Sequence, residues 1–310
     1  MGRLLCLVLL LGGLRAAEGI ALPAEVRWAV RLDWTAARQA PALGSWLAQQ
    51  LAGPEVQPKL LALTLVTGFD VERHLRRIWL AGASTRRDEV ALALEGEFDR
   101  ERLVIIVRGA KQYRVAEHRG TAVHTWFDDG EQRLSHAAFI RPDLLAMSAG
   151  EAPIRLLIDA AADGGGAAEF PAWFAASQGA VLAACVVDLP SIEGVHPTAA
   201  MLRNARGLRL RLDEVAGDAA AAAAISLRAS LDAADEASAT RLVDLVKGLQ
   251  AAVQLGLDGE ANPVALELAR TGRIVRQERT VELETSCPVT VLAERIRVEA
   301  EQKKAAAQGG

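Results

Sequence analysis

The chain has 310 residues, of which 51% are hydrophobic, 4% aromatic and 24% charged, and this excludes a wholly disordered or collagen-like protein. Its formal net charge is −4, so no overall positive field is available to attract nucleic acid or an anionic membrane surface. The length suffices for one large domain or two domains of ordinary size.

The first nineteen residues have the three parts of a secretory signal peptide. Arg3 gives a positive start, residues 4–14 are apolar apart from two glycines, and Ala17 and Gly19 place small residues at a cleavage site. The apolar run is too short for a membrane-spanning helix, which needs roughly 20 residues. We therefore expect cleavage after Gly19, a periplasmic or extracellular location, and no transmembrane segment in the mature chain.

Residues 20–162 are predicted to form an N-terminal α+β domain that opens with a half-buried strand. Apolar and polar side chains alternate over residues 26–33, and Asp33 can accept hydrogen bonds from the first turn of the next helix. The elements predicted after it are helices at 35–51 (with a bend near Pro41) and 56–66, hairpin strands at 76–83 and 89–97, and a helix at 98–108. This succession is a β-α-α-β-β-α unit.

A strand-rich middle follows the first unit. Strands are predicted at 112–117, 121–127, 133–140 and 144–148, with Asp129-Gly130 as the turn between the second and third. A helix is predicted at 153–161. The glycines at 164–166 mark a domain boundary, so residues 163–178 are predicted to be a linker with a short aromatic helix.

Residues 179–298 are predicted to form a C-terminal α+β domain that repeats the first unit. Residues 225–232 alternate as residues 26–33 do, and Asp232 corresponds to Asp33 as a helix cap. The other predicted elements are strands at 178–189, 208–213, 219–224, 272–275 and 280–285, and helices at 236–255, 263–270 and 287–298. The predicted class is therefore α+β, with two related β-α-α-β-β-α units, antiparallel sheets and a strand-rich middle. Residues 299–310 are predicted to be a disordered tail.

Two short segments carry a resemblance to known proteins. An alternating strand runs into EGEFDRERL at residues 95–103, and a histidine-bearing strand ends in HTWFDD at residues 124–129. Together with the export signal, they resemble a group of uncharacterised secreted bacterial proteins with paired α+β domains. The resemblance rests on patterns over residues 26–298, and it implies an extracytoplasmic location without an established activity.

Common catalytic motifs are absent from the sequence. It contains no Gly-x-Ser-x-Gly, His-Glu-x-x-His, phosphate-binding glycine loop or Cys-x-x-Cys. No cofactor is therefore expected. We expect the partner to be an unknown protein or envelope component.

One cluster could hold a metal ion: His118, His124, His136 and Asp128 are close in sequence, and imidazole with carboxylate is a reasonable zinc shell. A two-residue turn at Asp129-Gly130 pairs His124 with Ser135 and sends His124 and His136 to opposite faces of the sheet. A three-residue turn would set the two histidines directly across from each other. The Asp-Gly pair favours the shorter turn, and therefore ordinary polar strand residues over a metal site.

Two further candidates involve cysteines and aromatic residues. An exported location permits a disulfide between Cys185 and Cys287, but their apolar surroundings favour two core thiols. Phe170, Trp173 and Phe174 form a candidate contact surface, although burial against the C-terminal domain is the favoured interpretation.

The sequence thus favours an exported, non-enzymatic envelope scaffold or binding module. The alternative is a metal-dependent hydrolase that uses the region from His118 to His136.

Overall fold

The structure is a computed structural model that describes residues 20–165, 169–191, 205–215, 223–256 and 262–308. Helices and antiparallel strands both make up large parts of it, which confirms the predicted α+β class. The predicted signal peptide lies outside the described residues, as does most of the strand predicted at 219–224. Within the described ranges, no helix is long and apolar enough to cross a membrane.

Twelve strands are described. They are β1 (Trp28–Asp33), β2 (Leu75–Gly82), β3 (Val90–Gly96), β4 (Arg114–His118), β5 (Thr121–Asp128), β6 (Arg133–Arg141), β7 (Leu144–Ser148), β8 (Leu182–Val187), β9 (Ala205–Val215), β10 (Ala224–Ala233), β11 (Arg273–Gln277) and β12 (Thr280–Pro288).

The described α-helices lie between these strands and after the last one. They are α1 (Trp34–Gln39), α2 (Pro41–Leu51), α3 (Gln57–Thr67), α4 (Val71–His74), α5 (Arg100–Arg108), α6 (Glu151–Asp163), α7 (Glu169–Ala176), α8 (Glu236–Gln254), α9 (Pro263–Thr271) and α10 (Val289–Gln308).

All twelve strands belong to one sheet in the order β11-β12-β10-β9-β8-β1-β2-β3-β7-β6-β5-β4. Every neighbouring pair is antiparallel. The predicted boundary at 163–178 does not interrupt this sheet, because β8 pairs directly with β1, with Trp28 opposite Val186. The two predicted domains therefore share a single sheet where the sequence predicted separate ones.

The two predicted repeat units share their order of elements but differ in their strand order. In the first unit β2 borders β1 and β3 follows, whereas in the second β12 borders β10 and β11 lies at the edge. Alternation of apolar and polar side chains specifies a strand and its buried face, but it does not specify the neighbouring strand. Duplication of the unit stays a prediction.

The predicted N-terminal helix cap is found in the first unit, whereas a different aspartate caps the helix in the second. Asp33 accepts a hydrogen bond from the Ala36 N–H at 2.9 Å, as predicted. The second cap is Asp235, which accepts from Ser238 N–H at 2.7 Å, because β10 continues past Asp232. Asp232 instead pairs with the Arg209 guanidinium at 2.6 Å.

The main core lies on one face of the sheet, which we call the core face and define by Ala29, Trp79 and Ala93. Helices α6 and α7 cover it. Phe170 and Phe174 are buried there and Trp173 packs against the same cluster, which argues against the candidate contact surface and agrees with the favoured expectation of burial. They pack mainly against the N-terminal region and β8, and not against a separate C-terminal domain.

An arginine explains why the aromatic helix is held so closely. Arg31 on β1 is 4% exposed and donates hydrogen bonds to the carbonyl groups of Phe174 (2.9 Å) and Ser177 at the end of α7. Trp79 meets the Phe174 ring edge-on, with 5.0 Å between the ring centroids. These contacts satisfy the helix end and bury its aromatic side chains together.

The final helix extends further than the sequence predicted. Helix α10 continues to Gln308, so residues 299–308 are helical where a disordered tail was expected. This stretch is rich in alanine, lysine, glutamate and glutamine, which all have high helix propensity.

The structure excludes the candidate disulfide between Cys185 and Cys287. Cys185 lies on β8 and Cys287 on β12, with β9 and β10 between them. Neighbouring strands of a sheet lie about 4.8 Å apart, so β8 and β12, three strand spacings from each other, are roughly 14 Å apart. The Cα atoms of a disulfide lie about 4.4–6.8 Å apart.

Both cysteines are therefore expected to react as thiols without prior reduction. Burial and the nearby Glu267 raise the pKa of the Cys287 thiol, and Cys185 is also buried. We expect a chain that begins at Ile20 to bind two equivalents of maleimide after unfolding, and to react far more slowly when folded. Thiol titration without a reductant checks this, and a lack of reactive thiols in the unfolded chain would contradict it.

Candidate functional site

The structure separates the four candidate metal ligands, each of which has a different partner. His118 Nε2 lies 2.8 Å from Asp159 Oδ1, His124 Nδ1 lies 2.9 Å from the Tyr113 hydroxyl, and His136 Nδ1 lies 3.0 Å from Thr125 Oγ1. The described residues contain no group of three side chains placed to hold a metal ion.

The β5–β6 hairpin explains this separation. Asp128 pairs with Arg133, so the turn spans four residues and not the predicted two. The Asp128 carboxylate accepts hydrogen bonds from the backbone N–H groups of Gly130 and Glu131, and these bonds stabilise the longer turn. Because the register shifts by two residues, the side-chain alternation is preserved, and His124 and His136 lie on opposite faces, as the shorter turn also required.

An apolar cavity of about 350 Å³ lies on the face opposite the core face. We call this the cavity face and define it by Leu32, Ile78 and Leu94. Strands β3, β5, β6 and β7 form the floor of the cavity, and α3 and α5 cover it. Leu63, Leu103, Val104 and Val107 line it from the helices.

The floor of the cavity combines small and aromatic side chains. Ala137 on β6 leaves space above the strands, whereas the methyl group of its neighbour Ala138 lies in the core on the other face. Phe98 stacks on Phe69 with 5.0 Å between the ring centroids and meets Phe139 edge-on at 5.9 Å. The three rings form a continuous wall along the side of the cavity.

Few polar groups border the cavity, and two of them have hydrogen-bond partners. Thr67 Oγ1 donates to the Leu63 carbonyl at 2.6 Å and accepts from Phe69 N–H at 3.1 Å. His124 bonds to the Tyr113 hydroxyl outside the lining. Apart from Thr67, His124 and Trp126, the lining consists of hydrocarbon side chains and one methionine, so the cavity favours an apolar occupant.

Helix α3 exposes apolar side chains beside the cavity. Leu61, Leu65 and Val66 are 57%, 73% and 55% exposed, and no residue of this helix is fully buried. Its end is held by Arg102 of α5, which donates to the carbonyl groups of Val66 (2.8 Å) and Leu65. These two hydrogen bonds supplement the few buried apolar contacts that hold the helix over the cavity.

Two buried histidines carry lowered pKa values on opposite faces of the sheet. Burial lowers the pKa of His124, and the nearby guanidinium groups of Arg108 and Arg100 lower it further. Burial also lowers the pKa of His136, where Glu151 opposes the shift. Both imidazoles are therefore neutral at pH 7.

Folding stability should consequently fall in mild acid. Below about pH 6.5 the unfolded chain binds protons at His124 and His136 while the folded chain does not, and each histidine costs at most about 1.4 kcal/mol per pH unit until its folded pKa is reached. Denaturant unfolding at pH 7.5 and 5.5 measures the difference. The double variant His124→Gln/His136→Gln should show a smaller difference, and an unchanged one would contradict the assignment.

A buried charge network lies on the core face beside Arg31. The Arg77 guanidinium of β2 contacts Asp33 of β1 at 3.2 Å and Glu95 of β3 at 3.3 Å. The three residues are direct cross-strand neighbours. Burial lowers the pKa of Arg77, but Glu95 and Asp33 outweigh that effect and leave the pKa raised.

Comparison with known proteins gives only distant similarity. No protein-family model matches the chain, and no curated protein matches it. The solved structure of crystal form I of TP0453 is 10% identical, with a TM-score of 0.46 over 90% of this chain and 98% of that one. Crystal form IV of TP0453 is 9% identical, with a TM-score of 0.47 over 91% of this chain and 98% of that one. Likeness at this level carries no conclusion about function.

Proposed function

We propose that this protein is an exported, non-catalytic binding module that holds the hydrocarbon part of a small ligand in the cavity on the cavity face. The cavity itself carries the proposal. Its volume of about 350 Å³ lies within the range of small-molecule pockets, about 300–1,000 Å³. An engineered apolar cavity of about 150 Å³ already binds benzene.

The chemistry of the lining supports a hydrocarbon ligand over a polar one. A buried polar group of the ligand would lose its hydrogen bonds to water and find few free partners among Leu103, Val104, Phe139 and their neighbours. A methylene group gains about 0.8 kcal/mol on burial, so a chain of several methylenes gives useful affinity. Binding of this kind depends on burial of hydrocarbon and does not require a catalytic residue.

A neutral fluorescent probe tests the binding. We expect N-phenyl-1-naphthylamine to bind the chain from Ile20 onward at one site, with increased fluorescence, and 1-dodecanol to displace it. Lack of saturable binding of both compounds would refute the proposal. For export, the full chain expressed in a bacterium should appear in the periplasm with Ile20 as its N-terminus.

A further inference from the structure

Two arginines stand at the ends of the apolar stripe that α5 presents to the cavity. Leu103, Val104 and Val107 line the cavity, and Arg100 and Arg108 lie three residues before and one residue after this set. Positions 100, 103, 104, 107 and 108 follow the spacing of a single helix face. This spacing places both arginines on the side of α5 that faces the cavity.

The surroundings of the two arginines place them at the rim. The Arg100 Cζ atom lies 4.8 Å from the centroid of the Phe139 ring, which itself lines the cavity. Arg108 and Arg100 are both close enough to His124, another lining residue, to lower its pKa. Positive charge is thus concentrated where an occupant of the cavity would meet solvent.

Neither arginine forms an ion pair with a carboxylate among the residues that the structure describes. Two arginines of β2 are paired in this way: Arg76 with Asp143 at 2.9 Å, and Arg77 with Asp33 and Glu95. Arg102, which lies between the two on α5, instead donates to the end of α3. Arg100 and Arg108 therefore keep their hydrogen-bond donors for a group from outside the chain.

We propose that the ligand is an anionic amphiphile, with its single hydrocarbon chain in the cavity and its carboxylate or phosphate bound by Arg100 and Arg108. This inference rests on the proposed function, because it names the polar end of the same ligand. Guanidinium groups bind both carboxylate and phosphate through paired N–H donors, so the two headgroups share one recognition chemistry.

Three ligands with the same chain test the inference: dodecanoic acid, monododecyl phosphate and 1-dodecanol, each measured by displacement of N-phenyl-1-naphthylamine at pH 8. We expect at least one of the two anions to bind roughly ten-fold or more tightly than the alcohol. The stronger of the two anions identifies the headgroup. Added salt should weaken anion binding more than alcohol binding.

Two double variants assign the effect to these residues. Arg100→Gln/Arg108→Gln should lose the preference for the anion and keep the affinity for the alcohol. Arg114→Gln/Arg228→Gln removes the same charge away from the cavity and should keep the preference.

The contrary outcomes are distinct. Equal binding of acid, phosphate and alcohol by the unmodified protein would overturn the headgroup inference and leave the hydrocarbon site standing. A preference that survives in Arg100→Gln/Arg108→Gln would overturn the assignment to these arginines. Failure of all three ligands to bind would refute the proposed function itself.

Discussion

Replacing Arg77 with methionine should lower the free energy of unfolding by about 3–5 kcal/mol. The substitution removes the cation that lies between the Asp33 and Glu95 carboxylates. The side chains of these two residues are only 12% and 8% exposed. Desolvation makes an unpaired buried carboxylate far more costly than an exposed one. Urea unfolding of the two proteins at pH 7.5 measures the loss.

A matched substitution separates burial from charge. Arg228 pairs with Glu284 at 2.9 Å, but their side chains are 63% and 54% exposed. Arg228→Met should therefore cost less than about 1 kcal/mol. The double variant Arg77→Met/Glu95→Gln should recover part of the loss, because it removes one of the two stranded charges. Equal losses for Arg77→Met and Arg228→Met would show that the network contributes no more than a surface pair.

Filling the cavity from its helical side should abolish most ligand binding. Leu103 lines the cavity from α5, and a tryptophan at this position would occupy part of the 350 Å³ that a hydrocarbon chain requires. We expect Leu103→Trp to bind N-phenyl-1-naphthylamine at least about ten-fold more weakly, a loss that corresponds to burial of about two fewer methylene groups. The free energy of unfolding should stay within about 1.5 kcal/mol, because the added ring enters existing space.

The same helix supplies the control. Ile105 is 67% exposed and does not line the cavity, so Ile105→Trp should leave probe affinity unchanged. Fluorescence titration and urea unfolding of both variants distinguish blocked binding from loss of structure. Undiminished binding in a folded Leu103→Trp protein would place the binding site elsewhere.

The sequence predicts the elements better than it predicts their assembly. Alternation over residues 26–33 identifies β1, and Asp33 marks the start of the helix after it, because both signals are local. Pairing between β1 and β8 joins residues about 150 positions apart, and no local pattern records it. The hairpin at Asp129-Gly130 is predicted in the right place, but its turn is two residues longer than predicted because the Asp128 carboxylate stabilises the longer form.

The candidate site depends on side chains that the sequence presents as ordinary core. Leu94, Ala137 and Phe139 read as strand residues, and Leu103 and Val107 read as the buried face of a helix. The small side chain of Ala137 on the floor leaves part of the space beneath α5 unfilled. Arginines near a helix end are a common surface pattern, so Arg100 and Arg108 gave no signal until their neighbours were known.

The central position of β1 has a consequence for how the chain folds. Strand β1 obtains one partner, β2, early in the chain, and the other, β8, only after residues 182–187 have been made. Until then its second edge carries unpaired N–H and C=O groups next to apolar side chains, which is a template for pairing between molecules. The formation of so distant a contact slows folding. During synthesis from the N-terminus, the chain is therefore prone to aggregation until β8 has been made and pairs with β1.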